Sequence, residues 1–126
     1  MNKEETYKIL VIDDDLVILK LVGSLLKSNG YEVMTANEAA KGLEMAMKDS
    51  PDLVVLDVMM PIINGYNICR LLKSEEGYEN LPVILLTSRA TEEDRKIGEE
   101  VGSDAYMSKP VEATIFLNTV KELLSK

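Results

Sequence analysis

Short apolar or mixed runs alternate with amphipathic stretches along the whole chain. The runs predict strands at 8–12, 31–35, 53–56, 82–86 and 104–107. The stretches after them carry apolar residues three and four positions apart, which predicts five helices, the last at 112–125. Strand followed by helix, five times over, predicts an α/β fold with a parallel sheet covered by helices on both faces.

The composition of the runs also predicts how the strands are ordered. The first, third and fourth runs are continuously apolar, as expected for central strands that are buried on both sides. The second and fifth runs are mixed, which favours the two edges of the sheet. Both observations fit a doubly wound, flavodoxin-like sheet of order 2-1-3-4-5, in which ligands bind where the crossover direction reverses, between strands one and three.

Capping residues indicate where several helices begin or end. Gly30 is expected to end the first helix, and Asn37 to cap the second. Thr91 and Asp94 have the spacing of a capping box for the fourth helix, and Gly102 can end it. Apolar residues are expected to face the core from the third and fifth helices: Ile68, Leu71 and Leu72, then Ile115, Phe116, Val120, Leu123 and Leu124.

Length and charge narrow the class of protein. The 126 residues are expected to form a single domain over 1–126, and the net charge of −8 argues against binding of nucleic acid or an anionic membrane. No apolar run approaches the about 20 residues of a membrane-spanning helix. The single cysteine, Cys69, excludes an internal disulfide and fits a cytoplasmic location; we expect it to be a buried helix residue. The chain has no histidine, so any chemistry depends on carboxylates, hydroxyls and lysines.

Carboxylates follow two of the predicted central strands. Asp13 and Asp14 follow the first strand, and Asp57 follows the third, so a parallel sheet brings all three to one edge at the crossover reversal. Like charges about 4 Å apart repel by about 4 kcal/mol at an effective dielectric of about 20, so the cluster requires a cation or a proton. A cluster that offers carboxylate oxygens, and neither histidine nor thiolate, has the ligands that Mg²⁺ prefers. A carboxylate at such a site is also a candidate nucleophile that forms an aspartyl-phosphate.

Two more polar residues follow the other strands of the same sheet. Thr87 comes after the fourth strand and Lys109 after the fifth, so both are expected at the same edge as the carboxylates. A lysine offers positive charge to a phosphoryl group, and a threonine offers a hydroxyl donor.

With these residues in place, the chain resembles the receiver domain of two-component response regulators over essentially its whole length. Five segments carry the likeness in the expected order and spacing: residues 9–15, 56–61, 64–65, 86–88 and 108–110. The resemblance implies a phosphorylation-controlled switch, not an enzyme. It implies that Asp57 accepts a phosphoryl group from a sensor histidine kinase or a histidine phosphotransfer protein.

The resemblance also implies roles for the surrounding residues. Asp13, Asp14, Asp57 and the backbone carbonyl of Met59 would bind Mg²⁺. Thr87 and Lys109 would contact the phosphoryl oxygens, and Tyr106 would turn inward as Thr87 moves toward the phosphate. The Lys109–Pro110 bond would be cis. The face formed by the fourth helix, fifth strand and fifth helix would bind a downstream target; dimerisation on phosphorylation, and whether further domains accompany this one, stay open.

Two features depart from the usual family pattern. The loop at 62–64 is more apolar than is common, although Asn64 can serve the turn. Met59 and Arg89 occupy positions that influence loss of the phosphoryl group to water, so the dephosphorylation rate is open.

Two other classes of protein remain as alternatives. One is a Mg²⁺-dependent phosphohydrolase with an aspartyl-phosphate intermediate, for which the chain lacks a second aspartate at position 59. The other is a nucleotide- or flavin-binding protein of similar topology. Its first strand would end in a glycine-rich turn, whereas this one ends in aspartates that repel phosphate.

Overall fold

The computed structural model describes residues 6–126, which form a five-stranded parallel sheet flanked by five helices. The strands are β1 (Lys8–Ile12), β2 (Glu32–Ala36), β3 (Leu53–Asp57), β4 (Val83–Thr87) and β5 (Ala105–Ser108). The helices are α1 (Leu16–Ser28), α2 (Ala39–Asp49), α3 (Gly65–Ser74), α4 (Glu92–Glu100) and α5 (Ala113–Leu124). None of the helices in this part of the chain is both long and apolar enough to cross a bilayer.

The sheet has the order β2-β1-β3-β4-β5, with all neighbouring strands parallel. This confirms the predicted fold class and the assignment of β2 and β5 to the edges. One face of the sheet packs on α2 and α3 around Leu10, Leu56 and Leu85. The other face packs on α1 and α5 around Val11, Val55 and Phe116. Because both faces are covered, the continuously apolar strands β1, β3 and β4 lie at the centre.

The predicted helix boundaries at Gly30, Thr91 and Gly102 are confirmed: the two glycines, each with φ of 90°, lie directly after the C-caps of α1 and α4, and Thr91 is the N-cap of α4. Helix α1 begins after Asp15, whose side chain accepts a hydrogen bond from the amide of Val17. Helix α4 begins after Thr91, whose hydroxyl accepts from the Asp94 amide. The predicted cap at Asn37 is wrong, because Glu38 takes the N-cap position of α2 and makes no side-chain capping bond.

Two residues predicted to face the core lie at the surface instead. Leu71 is 47% exposed and Ile115 is 57% exposed. In α5 the buried stripe is Phe116, Val120 and Leu123, whose spacing of four and three residues follows one side of the helix. Ile115 lies beside that stripe, where it lines a surface cavity together with Tyr106. Cys69, by contrast, is a buried free cysteine, as predicted.

The start of α3 lies unusually close to the end of β3. The amide of Gly65 donates to the Val58 carbonyl at 3.0 Å, and the Val58 amide donates to the Leu86 carbonyl at 2.8 Å. A Cβ atom at Gly65 would overlap the carbonyl oxygen of Asp57 and lie 2.9 Å from the Val58 Cα. Glycine at this position therefore lets the helix approach the strand that carries Asp57.

We expect Gly65→Ala to lower the free energy of unfolding by about 1–3 kcal/mol, because the added methyl group meets rigid backbone. Gly23→Ala in α1 is the matched control. Its Cβ would lie 3.8 Å from the nearest atom, on Val33, so helix propensity alone should raise stability by up to about 1 kcal/mol. Urea denaturation of the two variants and the parent measures both effects. Equal stabilities for the two variants would contradict the close approach.

Candidate functional site

Three carboxylates meet at the carboxyl edge of the sheet, as their strand positions predicted. One oxygen each of Asp13, Asp14 and Asp57 lies within 4.8 Å of the others. Asp13 and Asp57 are almost fully buried, with 1% and 3% exposure, whereas Asp14 is exposed. The cluster is therefore closed on the protein side and open to solvent at Asp14.

Lys109 lies between the two buried carboxylates. Its ammonium donates to Asp13 Oδ2 at 2.9 Å and to Asp57 Oδ1 at 3.1 Å. The strand β5 and the following turn bring this lysine to the site, and the Lys109 amide donates to the Thr87 carbonyl at 2.7 Å. The peptide bond from Lys109 to Pro110 is cis, as the resemblance implied.

Backbone amides give each buried carboxylate a second partner. The Asp15 amide donates to Asp13 Oδ1 at 2.9 Å, and the Met59 amide donates to Asp57 Oδ1 at 3.3 Å. The side chain of Met59 is 53% exposed. Both carboxylates thus have fixed orientations, because each accepts bonds from an amide and from the lysine.

The charge balance at the site is negative. Three carboxylates share a single ammonium, that of Lys109, among the charged groups within bonding distance that the structure describes. Burial, followed by the charge of Asp13, raises the pKa of Asp57 from 3.8 to about 6, although Lys109 opposes the shift. Burial alone would lower the pKa of Lys109, but its bonds and charges with Asp13 and Asp57 outweigh burial and raise it. The lysine is therefore protonated at neutral pH.

Thr87 lies at the end of β4, buried at 1% exposure. Its hydroxyl oxygen accepts a hydrogen bond from the Arg89 amide at 3.0 Å, which holds the start of the β4–α4 loop. The guanidinium of Arg89 is directed to Asp94 in α4, with Nε 3.7 Å from Oδ2. The structure thus groups Asp13, Asp14, Asp57 and Lys109 directly, and places Thr87 on the adjacent strand as the anchor of a loop.

Tyr106 lies apart from the carboxylates, in the middle of β5. Its hydroxyl is 2.8 Å from the hydroxyl of Tyr66 and donates to the Arg89 carbonyl at 3.3 Å. Sequence reasoning did not single out Tyr66, because nothing in the spacing of residues 66 and 106 relates them. Only the packing of α3 beside α4 and β5 brings the two rings together.

The loop after β3 forms the rim of the site. Its Ile62 is fully exposed and has φ of 71°, in the left-handed region that a β-branched residue rarely adopts. The Ile63 amide donates to the Pro61 carbonyl across it at 2.8 Å. Asn64 then caps α3 by accepting from the Asn67 amide, so the asparagine does serve the turn.

Comparison with known proteins gives a consistent result. The family model described as the response regulator receiver domain matches residues 9–121. Response regulator MprA of Mycobacterium leprae is 38% identical over 119 residues, which cover 94% of this chain and 51% of MprA. The alkaline phosphatase synthesis transcriptional regulatory protein PhoP of Bacillus subtilis is 37% identical over 126 residues, 100% of this chain and 50% of PhoP. The chain spans about half the length of the curated relatives it matches.

A solved structure has the same fold. Chemotaxis protein CheY4 of Vibrio cholerae has a TM-score of 0.89 and 29% sequence identity, covering 94% of this chain and 98% of that chain. The family match includes the carboxylate cluster and, apart from Lys8, every residue of the five strands. The chain therefore belongs to the response regulator receiver domains, the phosphorylation-controlled switches of two-component signalling.

Proposed function

We propose that Asp57 is the phosphoryl acceptor of this receiver domain. The observation that carries the assignment is the Lys109 ammonium, which bonds Asp57 and Asp13 at once within a cluster of three carboxylates. Lys109 and the Met59 amide both bond Oδ1, so we assign the attack on phosphorus to Oδ2. The new Oδ2–P bond forms as the P–N bond of a partner's phosphohistidine breaks, and the electron pair of that bond returns to the imidazole.

Asp13, Asp14 and Asp57, with the backbone carbonyl of Met59, would hold Mg²⁺. The donor set fits this ion because all its ligands are oxygen and the site carries more negative than positive charge. The ion would supply positive charge to neutralise the phosphoryl oxygens during transfer.

Lys109 and Thr87 would hold the phosphoryl group after transfer. The Lys109 ammonium donates to two carboxylates. It can exchange one of them for a phosphoryl oxygen and still donate two hydrogen bonds. Thr87 can donate its hydroxyl proton to another oxygen while its own oxygen keeps the bond from the Arg89 amide, so a shift of Thr87 toward the phosphoryl group would draw Arg89 with it. The β4–α4 loop would then be the first element to respond.

The surface of α4, β5 and α5 is the proposed site for a downstream target, with Tyr106 as its switch residue. Ile97 is 38% exposed and Ile115 is 57% exposed on this surface. A cavity of about 250 Å³ on this surface is lined by Arg95, Tyr106 and Ile115, among others. Apolar groups exposed next to the switch residue give a partner a contact that depends on the position of the Tyr106 ring.

The site argues against the two alternative functions. A cavity of about 360 Å³ is lined by Asp14 and Glu38 and otherwise by uncharged residues, with no lysine or arginine among its described lining. A nucleotide phosphate would be repelled there. For a phosphohydrolase, the position two residues after Asp57 holds Met59, which offers the leaving group no proton. Turnover of many phosphate esters per protein would favour that enzyme.

We expect one phosphoryl group per chain, added 80 Da, when the protein is incubated with acetyl phosphate and Mg²⁺ and weighed intact by mass spectrometry. Asp57→Asn should abolish the adduct, because the amide oxygen is not a nucleophile of comparable strength. Asp15→Asn is the matched control, since asparagine keeps the α1 cap and the residue lies outside the cluster. An adduct that survives in Asp57→Asn would disprove the assignment.

We expect Asp57→Asn to be more stable than the parent in metal-free buffer at pH 7, by about 1–3 kcal/mol in the free energy of unfolding. The folded-state pKa of Asp57, about 6, lies above its ordinary 3.8. Between these values the folded chain binds more protons than the unfolded chain, so its stability falls as the pH rises from about 4 to about 6. The advantage of the variant should therefore shrink toward pH 4.

Urea denaturation with EDTA present, from pH 4 to pH 8, measures this difference. Glu76→Gln, at an exposed position, is the control for loss of one negative charge. It should follow the parent to within about 0.5 kcal/mol at every pH. A parent that is as stable as Asp57→Asn at pH 7 would mean that the carboxylates do not repel one another as described.

We expect Mg²⁺ to stabilise the parent protein, because an ion that binds only the folded state raises the free energy of unfolding. At 100 times its dissociation constant the gain should be about 2.7 kcal/mol. Asp14→Asn should weaken binding about tenfold or more, and Glu76→Gln should not change it. Thermal melts over a range of MgCl₂ concentrations measure the effect. Equal responses from Asp14→Asn and the parent would remove Asp14 from the ligand set.

A further inference from the structure

Tyr66 in α3 forms a close pair with Tyr106 in β5. The two rings are parallel, with 4° between their planes and 6.5 Å between their centroids. Their hydroxyl oxygens are 2.8 Å apart, which is a hydrogen bond of ordinary length for two hydroxyl groups. The pair joins a helix that begins beside Asp57 to the strand that leads to Lys109.

The pair continues a chain of bonds that starts at Thr87. The Thr87 hydroxyl accepts from the Arg89 amide at 3.0 Å, and the Arg89 carbonyl accepts from the Tyr106 hydroxyl at 3.3 Å. Tyr106 then meets Tyr66. Three hydrogen bonds thus connect four residues, from Thr87 at the end of β4 to Tyr66 in α3.

The Tyr66 hydroxyl affects this series of hydrogen bonds, because the two tyrosines have only two hydroxyl protons to donate. Each tyrosine has one proton to donate. If Tyr66 donates to Tyr106, then Tyr106 is free to donate to the Arg89 carbonyl. If Tyr106 donates to Tyr66 instead, then Tyr66 donates to the Asp94 carbonyl at 3.2 Å, and the bond to Arg89 is lost. The direction of the bond between the two tyrosines therefore decides whether Tyr106 bonds the β4–α4 loop, and the Tyr66 hydroxyl fixes the position of the Tyr106 hydroxyl.

Helix α4 shapes the other side of the Tyr106 slot. A Cβ atom at Gly98 would lie 2.9 Å from Cδ1 of the ring, so the absence of a side chain there makes room for it. The Arg95 guanidinium carbon lies 5.4 Å from the ring centroid, in cation–π contact. The ring is half-buried between these residues and Tyr66, with its hydroxyl directed to α3 and the loop. We call this arrangement the inward position.

We propose that Tyr66 is a positioning residue of the switch, whose hydroxyl holds Tyr106 in the inward position and so couples α3 to Thr87. The proposal rests on the proposed function, in which Thr87 binds the phosphoryl group. Coupling between two sites is reciprocal. If a phosphoryl group at Asp57 favours the inward position of Tyr106, then the Tyr66 hydroxyl, which stabilises that position, also strengthens binding of the phosphoryl group. Loss of the Tyr66 hydroxyl, which bonds Tyr106 and Asp94, should therefore weaken binding at Asp57.

The test measures the affinity for beryllofluoride, a phosphoryl mimic, in saturating Mg²⁺. We expect Tyr66→Phe, which keeps the ring and loses the hydroxyl, to bind the mimic about three- to tenfold more weakly than the parent. Tyr78→Phe is the matched control, because the Tyr78 hydroxyl also makes one bond to a backbone carbonyl, that of Met47 at 3.1 Å, away from the switch. The control should bind like the parent.

A double-mutant cycle and a spectroscopic readout separate positioning from a general loss of stability. In the cycle, Tyr106→Phe alone and together with Tyr66→Phe should give non-additive losses, since both remove the same hydrogen bond. In ¹⁹F NMR of protein containing 3-fluorotyrosine, the Tyr106 resonance should shift in Tyr66→Phe and not in Tyr78→Phe. Additive losses, or an unchanged Tyr106 resonance, would overturn the proposal.

The two proposals fail in different ways. If the parent does not bind beryllofluoride, or if Asp57→Asn still becomes phosphorylated, the proposed function is wrong. If the parent binds the mimic and Tyr66→Phe binds it equally well, only the role of Tyr66 is wrong. Should Tyr66→Phe fail to fold, Gly98→Ala tests the same slot from α4. Its methyl group should displace the Tyr106 ring and weaken the mimic about as much, and unchanged affinity would count against the inward position.

Discussion

The structure of the site depends on one pair of ion contacts, those of Lys109 with Asp13 and Asp57. Lys109 is 96 positions from Asp13 and 52 from Asp57 along the chain, and the three residues stand at the ends of β5, β1 and β3. Removal of the lysine would leave two buried carboxylates without a positive partner, which is the costly way to break a buried ion pair. The single ammonium reduces the repulsion within the cluster without cancelling it, so the site keeps an attraction for cations.

The rest of the fold positions these three side chains. Asp13 follows β1, and Asp57 is the last residue of the neighbouring strand β3. The register of the two strands, with Ile12 opposite Leu56, brings both aspartates to the same level. Gly65 lets α3 begin close to Asp57, and amides from Asp15 and Met59 orient the two carboxylates. The covered core holds this edge in place, because β1, β3 and β4 are buried on both faces. The sheet thus holds three carboxylates and one ammonium in fixed positions, so the site has an excess of negative charge.

The part that would move in the proposed switch lies one strand further along. Thr87 is fixed at the end of β4, but among residues 6–126 its hydroxyl has one hydrogen-bond partner, the Arg89 amide of the loop. From that loop, single hydrogen bonds lead to Tyr106 and to Tyr66. A neutral hydrogen bond contributes about 1 kcal/mol, so the chain can rearrange at an energy that a phosphoryl group with its charge-assisted bonds can supply. In the proposed switch, the strong contacts at Lys109 hold the site, while these weaker contacts respond to it.

The fold class, the strand order and the positions of five side chains at strand ends could be predicted from the amino-acid pattern. These side chains are Asp13, Asp14, Asp57, Thr87 and Lys109. Those features follow from local patterns, because apolar runs report burial and residues that end parallel strands share one edge. The tertiary structure alone decided that Ile115 lies at the surface, that Gly65 meets the Asp57 carbonyl, and that Tyr66 bonds Tyr106. Each of these depends on how two distant elements pack, and spacing along one element carries no information about the residue that faces it from another.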